Sequence, residues 1–131
     1  MAAVFLVLFL LATSNLYAQN MTIILLRHAE KDVSATANKA DPDLTEAGRQ
    51  RAARLVEVIK KYNPEQIFST VYKRARFTGI PLAEQIDPAY RIQIQAYDSD
   101  YVDDFAAKLL KLKAKCVVVI GHNTTLSLIH I

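Results

Sequence analysis

The chain has 131 residues and a formal net charge of +3, so it is long enough for one domain and too short for two. The positive excess is small and scattered, with no basic stripe interleaved with aromatic residues, which argues against a nucleic-acid partner. The single cysteine, Cys116, can form no internal disulfide and is expected to be a small buried core residue.

The N-terminal segment has the pattern of an export signal. Residues 2–12 are almost wholly apolar, residues 13–18 turn polar and end in Ala18, and no charged residue precedes Arg27. This predicts a signal peptide over residues 1–18 and a mature protein that begins at Gln19 and is exported, to the periplasm of a Gram-negative cell. The apolar run is shorter than the roughly 20 residues of a bilayer crossing, so we expect no stable membrane insertion after cleavage. A retained N-terminal anchor is the main alternative, and a buried helix of a cytosolic domain is a weaker one.

The first half of the mature chain reads as a strand, a loop and a helix. Residues 23–26 form a continuous apolar run, which predicts a central strand covered on both faces. Residues 31–42 are polar and predict a loop. Thr45 can cap a helix that ends at Asn63, before Pro64. The apolar positions of this helix follow a period of 3.6 residues and are Ala52, Leu55, Val56 and Ile59.

The second half continues the alternation of strands and helices. We predict a strand over residues 66–69, a helix over residues 73–85 that is kinked or restarted at Pro81, and a strand over residues 91–95. An amphipathic helix follows, with a solvated lysine-bearing face, and residues 116–120 form the strongest strand. The apolar positions of this helix are Val102, Phe105, Ala106, Leu109 and Leu110, and its lysines are Lys108, Lys111, Lys113 and Lys115.

This order of elements predicts an α/β fold, with helices on both faces of a mostly parallel sheet in a three-layer α/β/α sandwich. Only ten residues follow Gly121, too few for a helix that would cover the last strand. Residues 126–131 also match a translated transposon end used to prepare sequencing libraries. We therefore expect residues 19–131 to be one truncated domain, with an artefactual tail after Thr125. A natural short tail is the alternative.

Two of the three histidines occupy equivalent places in this arrangement. Arg27 and His28 come directly after the first strand, and Gly121 and His122 come directly after the last. The carboxyl ends of parallel strands form one rim, where ligands bind. The sequence therefore predicts a reactive imidazole beside an anion site.

Four segments, in this order, resemble the histidine phosphatase superfamily, also called phosphoglycerate mutase-like. Residues 26–31 are similar to its Arg-His-Gly signature, with Ala29 in place of glycine, and residues 43–52 to its Leu-Thr-x-x-Gly-x-x-Gln/Arg-Ala helix start. Residues 69–78 are similar to its Ser-x-x-x-Arg-Ala-x-x-Thr segment, with Thr70 in the serine place and Arg74 as the arginine. Residues 119–123 are similar to its Gly-His strand end. The resemblance extends from about Thr22 to Thr125.

The resemblance implies a phosphatase that acts through a phosphohistidine on His28, and the residue types suit that chemistry. A neutral imidazole can attack phosphorus, and nearby Arg27 and Arg74 disfavour its protonated form while their guanidinium groups match phosphate oxygens. We expect His122 to donate to a phosphate oxygen in its protonated form. Thr70 or Ser69 could add a hydroxyl donor.

The leaving alkoxide needs a proton, for which the candidates are Asp98, Asp100 and Glu30. The resemblance implies a carboxylate from the part of the chain around Asp98. A helix-capping role for Asp98 or Asp100 is an equal alternative. Arg76 is either a third phosphate ligand or, as we prefer, an exposed helical arginine.

These features predict a metal-independent phosphomonoester hydrolase without a cofactor, since the histidines and the cysteine have no metal-ligand spacing and no glycine-rich loop would bind a nucleotide. No segment resembles an inserted lid, so an open pocket suits a phosphorylated small molecule, a glycolipid or a phosphoprotein. One alternative is a phosphoglycerate mutase-like phosphotransferase, which would have to shield its intermediate from water. The others are a non-catalytic phosphate- or phosphosugar-binding domain and a structural envelope protein.

Overall fold

The computed structural model of the chain describes residues 20–87 and 93–125. The predicted signal peptide and residues 126–131 lie outside the described residues, so both remain predictions. The elements in chain order are β1 (Thr22–Arg27), α1 (Glu46–Ile59) with a short 3-10 helix directly after it (Lys60–Tyr62), β2 (Gln66–Ser69), α2 (Lys73–Ile86), β3 (Ile94–Ala96), α3 (Val102–Leu109) and β4 (Cys116–Gly121).

The strands form one parallel sheet in the order β1-β4-β2-β3. Their carboxyl ends align, because Arg27 pairs with Gly121 and Ser69 pairs with both Ile120 and Ala96. The residues that follow β1, β2, β3 and β4 therefore emerge along one edge of the sheet. This alignment places four separate sequence segments beside each other.

Helices cover both faces of the sheet, which confirms the three-layer α/β/α architecture. On one face, Phe105 and Leu109 of α3 belong to a core cluster with Phe68, Val117 and Val119. On the other face, α1 and α2 pack against the alternate residues of the same strands, as the twofold period of a strand requires. That second cluster contains Val56, Ile59, Ile67, Ala75, Leu82, Val118 and Ile120.

The prediction that residues 23–26 form a central strand is wrong for the described part of the chain, in which β1 lies at an edge of the sheet. Ile23 and Leu25 pack on the α3 side, and Ile24 and Leu26 pack on the α1 and α2 side. Both faces of β1 are thus covered, and its apolar residues are half-buried. A continuous apolar run indicates that both faces of a strand are covered. It does not indicate how many neighbouring strands pair with that strand.

Two element boundaries also differ from those expected. The α2 helix runs through Pro81 to Ile86 without restarting, and Thr78 and Leu82 on either side of the proline are buried. The third strand begins at Ile94, whereas we expected it from residue 91, and residues 88–92 lie outside the described ones. The Thr45 cap is confirmed, because its side chain accepts a hydrogen bond from Gly48 N at 3.0 Å. No helix in residues 20–87 and 93–125 is long and apolar enough to cross a membrane.

Candidate active site

The turn after β1 is fixed by hydrogen bonds to two other elements. His28 N donates to Gly121 O at the end of β4, at 3.0 Å. Ala29 N donates to Thr78 Oγ1 of α2 at 2.9 Å, and the Thr78 hydroxyl donates to Arg74 O at 2.7 Å. The backbone that carries His28 is therefore tied to the strand that carries His122 and to the helix that carries Arg74.

The amino end of α1 supports the same turn from a third side. Thr45 N donates to Glu30 O at 2.8 Å, and a Cβ atom at Gly48 would lie only 2.5 Å from that carbonyl oxygen. Any larger residue at Gly48 would push the turn away. The glycine of this motif is thus needed for close backbone approach.

The His28 ring is oriented by its own turn. Its Nδ1 lies 2.7 Å from Ala29 O, and a carbonyl oxygen can only accept, so Nδ1 carries the proton and Nε2 holds the lone pair. Burial lowers the pKa of His28, and the positive charges of Arg74, Arg27 and Lys31 lower it further against the opposing effect of the Ala29 hydrogen bond. The ring is therefore a neutral base with an available Nε2 at neutral pH.

His122 lies beside His28, with ring centroids 5.3 Å apart in an edge-on arrangement. Its Nε2 is 3.0 Å from Thr70 Oγ1. Burial first, then Arg74 and His28, lower the pKa of His122 to about 4. Burial and the neighbouring cations favour the neutral His122 ring, so the expected protonated form requires the added negative charge of a phosphate, and that expectation stays a prediction.

Arg74 projects from the first turn of α2. Its guanidinium carbon lies 4.5 Å from the centroid of the Tyr72 ring, which itself meets His122 edge-on at 5.4 Å. The Nε atom of Arg74 is buried and has no hydrogen-bond partner among the described residues. A buried guanidinium donor is costly to leave unpaired, so its position suits an anion that binds at the histidine pair.

A cleft on the β1 side of His28 is lined by several cations. Arg27 lies there with Lys31 and Arg51. Arg51 bonds Glu30 at 3.0 Å and donates to His28 O at 3.3 Å, so Glu30 orients a cation at this cleft. Sequence reasoning missed the two additional cations, although the positions of Lys31 beside the first signature and Arg51 one turn into α1 could have suggested them.

Asp98 lies in a second cleft, together with Thr70, Tyr72 and Asp100. Its Oδ1 accepts a hydrogen bond from Asp100 N at 2.9 Å, which closes a local turn. The N-cap residue of α3 is Tyr101, and no side chain caps this helix, so the structure does not show the helix-capping role considered for Asp98 or Asp100.

The remaining candidates differ in access to this rim. The Ser69 hydroxyl is buried and donates to Thr70 O at 2.9 Å, which leaves Thr70 as the hydroxyl that faces His122. Arg76 is exposed, in agreement with its interpretation as an exposed helical arginine. Cys116 is buried within β4, and burial raises its pKa. In residues 20–87 and 93–125, no three histidine, cysteine or acidic side chains converge as a metal site would require.

The lowered pKa values predict a specific pH dependence. We expect His122 to titrate near pH 4 and His28 below 6.5, so both rings are neutral at pH 7. Because the unfolded chain takes up these protons near pH 6.5, the folded protein should be at full stability above that pH and lose stability as the pH falls towards about 4. Histidine NMR titration and thermal melts measure the two effects.

The charge of Arg74 can be separated from burial in the same titration. Arg74→Ala should raise the pKa of His122, whereas Arg76→Ala, on the exposed side of the same helix, should leave it unchanged. An ordinary pKa for His122 in the unmodified protein would contradict this account of the site.

Comparisons with known proteins agree with the fold. The sequence profile of the Histidine phosphatase superfamily (branch 1) matches residues 23–98. A structure from Agrobacterium tumefaciens assigned as the phosphohistidine phosphatase SixA is 24% identical, with a TM-score of 0.63 over 79% of this chain and 70% of that chain. A mycobacterial glucosyl-3-phosphoglycerate phosphatase complexed with VO3 is 19% identical, with a TM-score of 0.64 over 82% and 79% of the two chains.

A phosphoserine phosphatase from Entamoeba histolytica, in complex with 3-phosphoglyceric acid, is 16% identical, with a TM-score of 0.58 over 82% of this chain and 77% of that chain. A comparison with curated protein sequences gave no match. At these identities the structural likeness shows the fold, and the family profile shows the kinship over more than half of the chain.

Proposed function

The chain belongs to the histidine phosphatase superfamily, and from this premise we propose that it is a phosphomonoester hydrolase in which His28 carries the transferred phosphoryl group. The observation that carries the proposal is the His28 ring itself. Its Nδ1 is engaged by Ala29 O, so the Nε2 lone pair is available, and cations surround it. This is the arrangement that a nitrogen nucleophile needs at neutral pH.

The reaction divides into two displacements at phosphorus. In the first, Nε2 of His28 attacks, an N–P bond forms, and the P–O bond to the leaving group breaks with its electron pair on oxygen. That oxygen receives a proton from a general acid. In the second, a water oxygen attacks phosphorus and loses a proton to the conjugate base of that general acid. The N–P bond then breaks with its electron pair on Nε2, which releases inorganic phosphate and neutral His28.

The side chains around His28 suit the charge of the transferred group. Arg27 and Arg74 provide planar donors for phosphate oxygens, and the unpaired Nε of Arg74 adds a donor that needs an acceptor. Thr70 and His122 form a hydrogen-bonded pair at the same rim. A bound phosphate dianion would raise the pKa of His122, since a negative charge beside the ring favours the protonated form that burial and the neighbouring cations disfavour.

We assign the general acid to Asp98, which lies in a cleft with Thr70. Asp98→Asn should slow release of inorganic phosphate from an alkyl phosphate far more than from an aryl phosphate, because a phenolate leaves without a proton. Asp100→Asn is the matched control, since it removes a carboxylate from the same cleft. We expect turnover in the presence of a chelator.

The outcome distinguishes the alternatives. Equal slowing of both substrates would remove Asp98 from this role, and the alkyl-specific loss in Asp100→Asn would transfer the role to that residue. Phosphate binding without release would favour a non-catalytic binding domain. Transfer to a second alcohol without release would favour a mutase-like phosphotransferase.

The substrate that we propose is a phosphate on a larger carrier, such as a sugar phosphate, a glycolipid or a phosphoprotein. His28 lines one cleft together with Arg27 and Lys31. A second cleft, lined by Tyr72 and Asp98, includes Thr70, whose hydroxyl contacts His122. These open surfaces leave room for a bulky leaving group. Export to the periplasm, proposed from residues 1–18, would fit a substrate of the cell envelope.

A further inference from the structure

Two buried hydroxyl groups lie against the turn that carries His122. The Tyr97 hydroxyl oxygen is 2.7 Å from Thr125 Oγ1 and 3.4 Å from Ile120 O. Thr125 Oγ1 in turn accepts a hydrogen bond from His122 N at 3.0 Å. Tyr97 is 7% exposed and Thr125 is 1% exposed, so water competes little for these groups.

The available protons fix the direction of these hydrogen bonds. Ile120 O can only accept and His122 N can only donate, while each hydroxyl has one proton to donate. A complete assignment therefore runs from His122 N to Thr125, from Thr125 to Tyr97, and from Tyr97 to Ile120 O. Burial raises the pKa of Tyr97, so its phenol keeps the proton that it donates to Ile120 O. These three hydrogen bonds link Ile120 and His122, the residues immediately before and after Gly121.

Gly121 permits this close approach. A Cβ atom at Gly121 would collide with Thr125 Oγ1 and the Tyr97 hydroxyl. Gly121 has no positive φ, so space and not backbone conformation is the reason for glycine here. The two hydroxyls are thus built against the turn itself.

Tyr97 is anchored independently of the turn. Its ring stacks on Phe105 of α3, with centroids 4.2 Å apart and planes 8° apart. Its backbone N donates to Ser69 O at 3.0 Å, and its chain neighbour is Asp98. Since Thr70 follows Ser69 and bonds the His122 ring, Tyr97 links the ends of β2, β3 and β4.

We propose that Tyr97 and Thr125 are positioning residues that hold the His122 ring in register with His28 and Thr70 for phosphoryl transfer. The proposal rests on the proposed function, because it assigns these residues a task in that reaction. Neither side chain is expected to touch the substrate. Their effect is transmitted through the backbone of His122, whose ring contacts the transferring group.

The loss of either hydroxyl should therefore lower kcat more than it changes KM. A ring displaced by about 1 Å can cost up to about 10²-fold in rate, and contacts that strengthen in the transition state act on kcat. We expect Thr125→Val, which keeps the side-chain shape, to lower kcat by about 10-fold or more. Thr125→Ser should retain most of kcat, and Tyr97→Phe should lower it. The matched control is Tyr62→Phe, at an exposed tyrosine.

A double-mutant cycle separates positioning from general stabilisation. In a His122→Ala background, Thr125→Val should cause little further loss of kcat at a temperature at which thermal melts show both variants folded. An equal loss in both backgrounds, or an unchanged kcat in Thr125→Val, would overturn the proposal.

Histidine NMR provides a readout that does not depend on turnover. Thr125→Val should shift the resonances of His122 and raise its pKa, because the ring would move towards solvent, whereas Thr125→Ser and Tyr62→Phe should leave both unchanged. If the unmodified protein released no phosphate, the proposed function would fail while this measurement still judged the structural link. Unchanged His122 resonances in Thr125→Val would refute that link even in an active enzyme.

Discussion

Replacement of His28 by alanine is expected to abolish phosphate release and the formation of a phosphoenzyme. The reason is that the reacting atom is His28 Nε2, whose lone pair is available because Nδ1 is hydrogen-bonded to Ala29 O. His122 is the nearest other imidazole, at 5.3 Å between centroids, and its Nε2 already contacts Thr70 Oγ1. No neighbouring group is therefore expected to replace the nucleophile.

The measurement is the transfer of a labelled phosphoryl group from a phosphomonoester to the protein during turnover. A phosphoramidate is labile in acid and stable in alkali, so label on the unmodified protein should survive alkali and be lost in acid. His122→Asn is the matched control, because it removes an imidazole from the same rim and should leave a labelled His28. Turnover by His28→Ala close to that of the unmodified protein would reject the histidine phosphatase mechanism for this site.

Replacement of Arg74 by alanine is expected to lower kcat by about 10²–10³-fold, the usual loss when one donor to a transition-state oxyanion is removed. The effect should be large because Arg74 combines a partly buried guanidinium, an unpaired Nε and a position over the Tyr72 ring. Losses of similar order are expected for Arg27→Ala and His122→Ala. Steady-state kinetics with an aryl phosphate measures these losses of kcat. The general acid does not affect them there, because a phenolate leaves without a proton.

The control for Arg74→Ala is Arg76→Ala, which removes an exposed arginine two residues away on the same helix. Arg76→Ala should leave kcat and KM nearly unchanged, since surface charge is screened by solvent. Arg74→Lys should recover only part of the loss, because an ammonium lacks the planar fork that matches two phosphate oxygens. Full recovery by lysine would reduce the role of Arg74 to its charge alone.

The sequence alone was sufficient to predict the architecture and most of the rim, because both depend on local patterns. The Thr45 cap, the period of α1 and the apolar run of β4 each act over a few residues and specify their elements directly. Parallel pairing then brings the residues after each strand to one edge. His28 and His122 could therefore be placed together although 94 positions separate them in the chain.

Tertiary structure decided what depends on partners remote in sequence. The edge position of β1 depends on strand pairing, which the apolar run does not encode. The neutral state of His122 results from burial and the nearby charge of Arg74, and the Tyr97–Thr125 contact joins residues 28 positions apart. Protonation and orientation at the rim are thus properties of the assembled site, because electric fields and buried hydrogen bonds act through space, whereas caps and periodicity act along the chain.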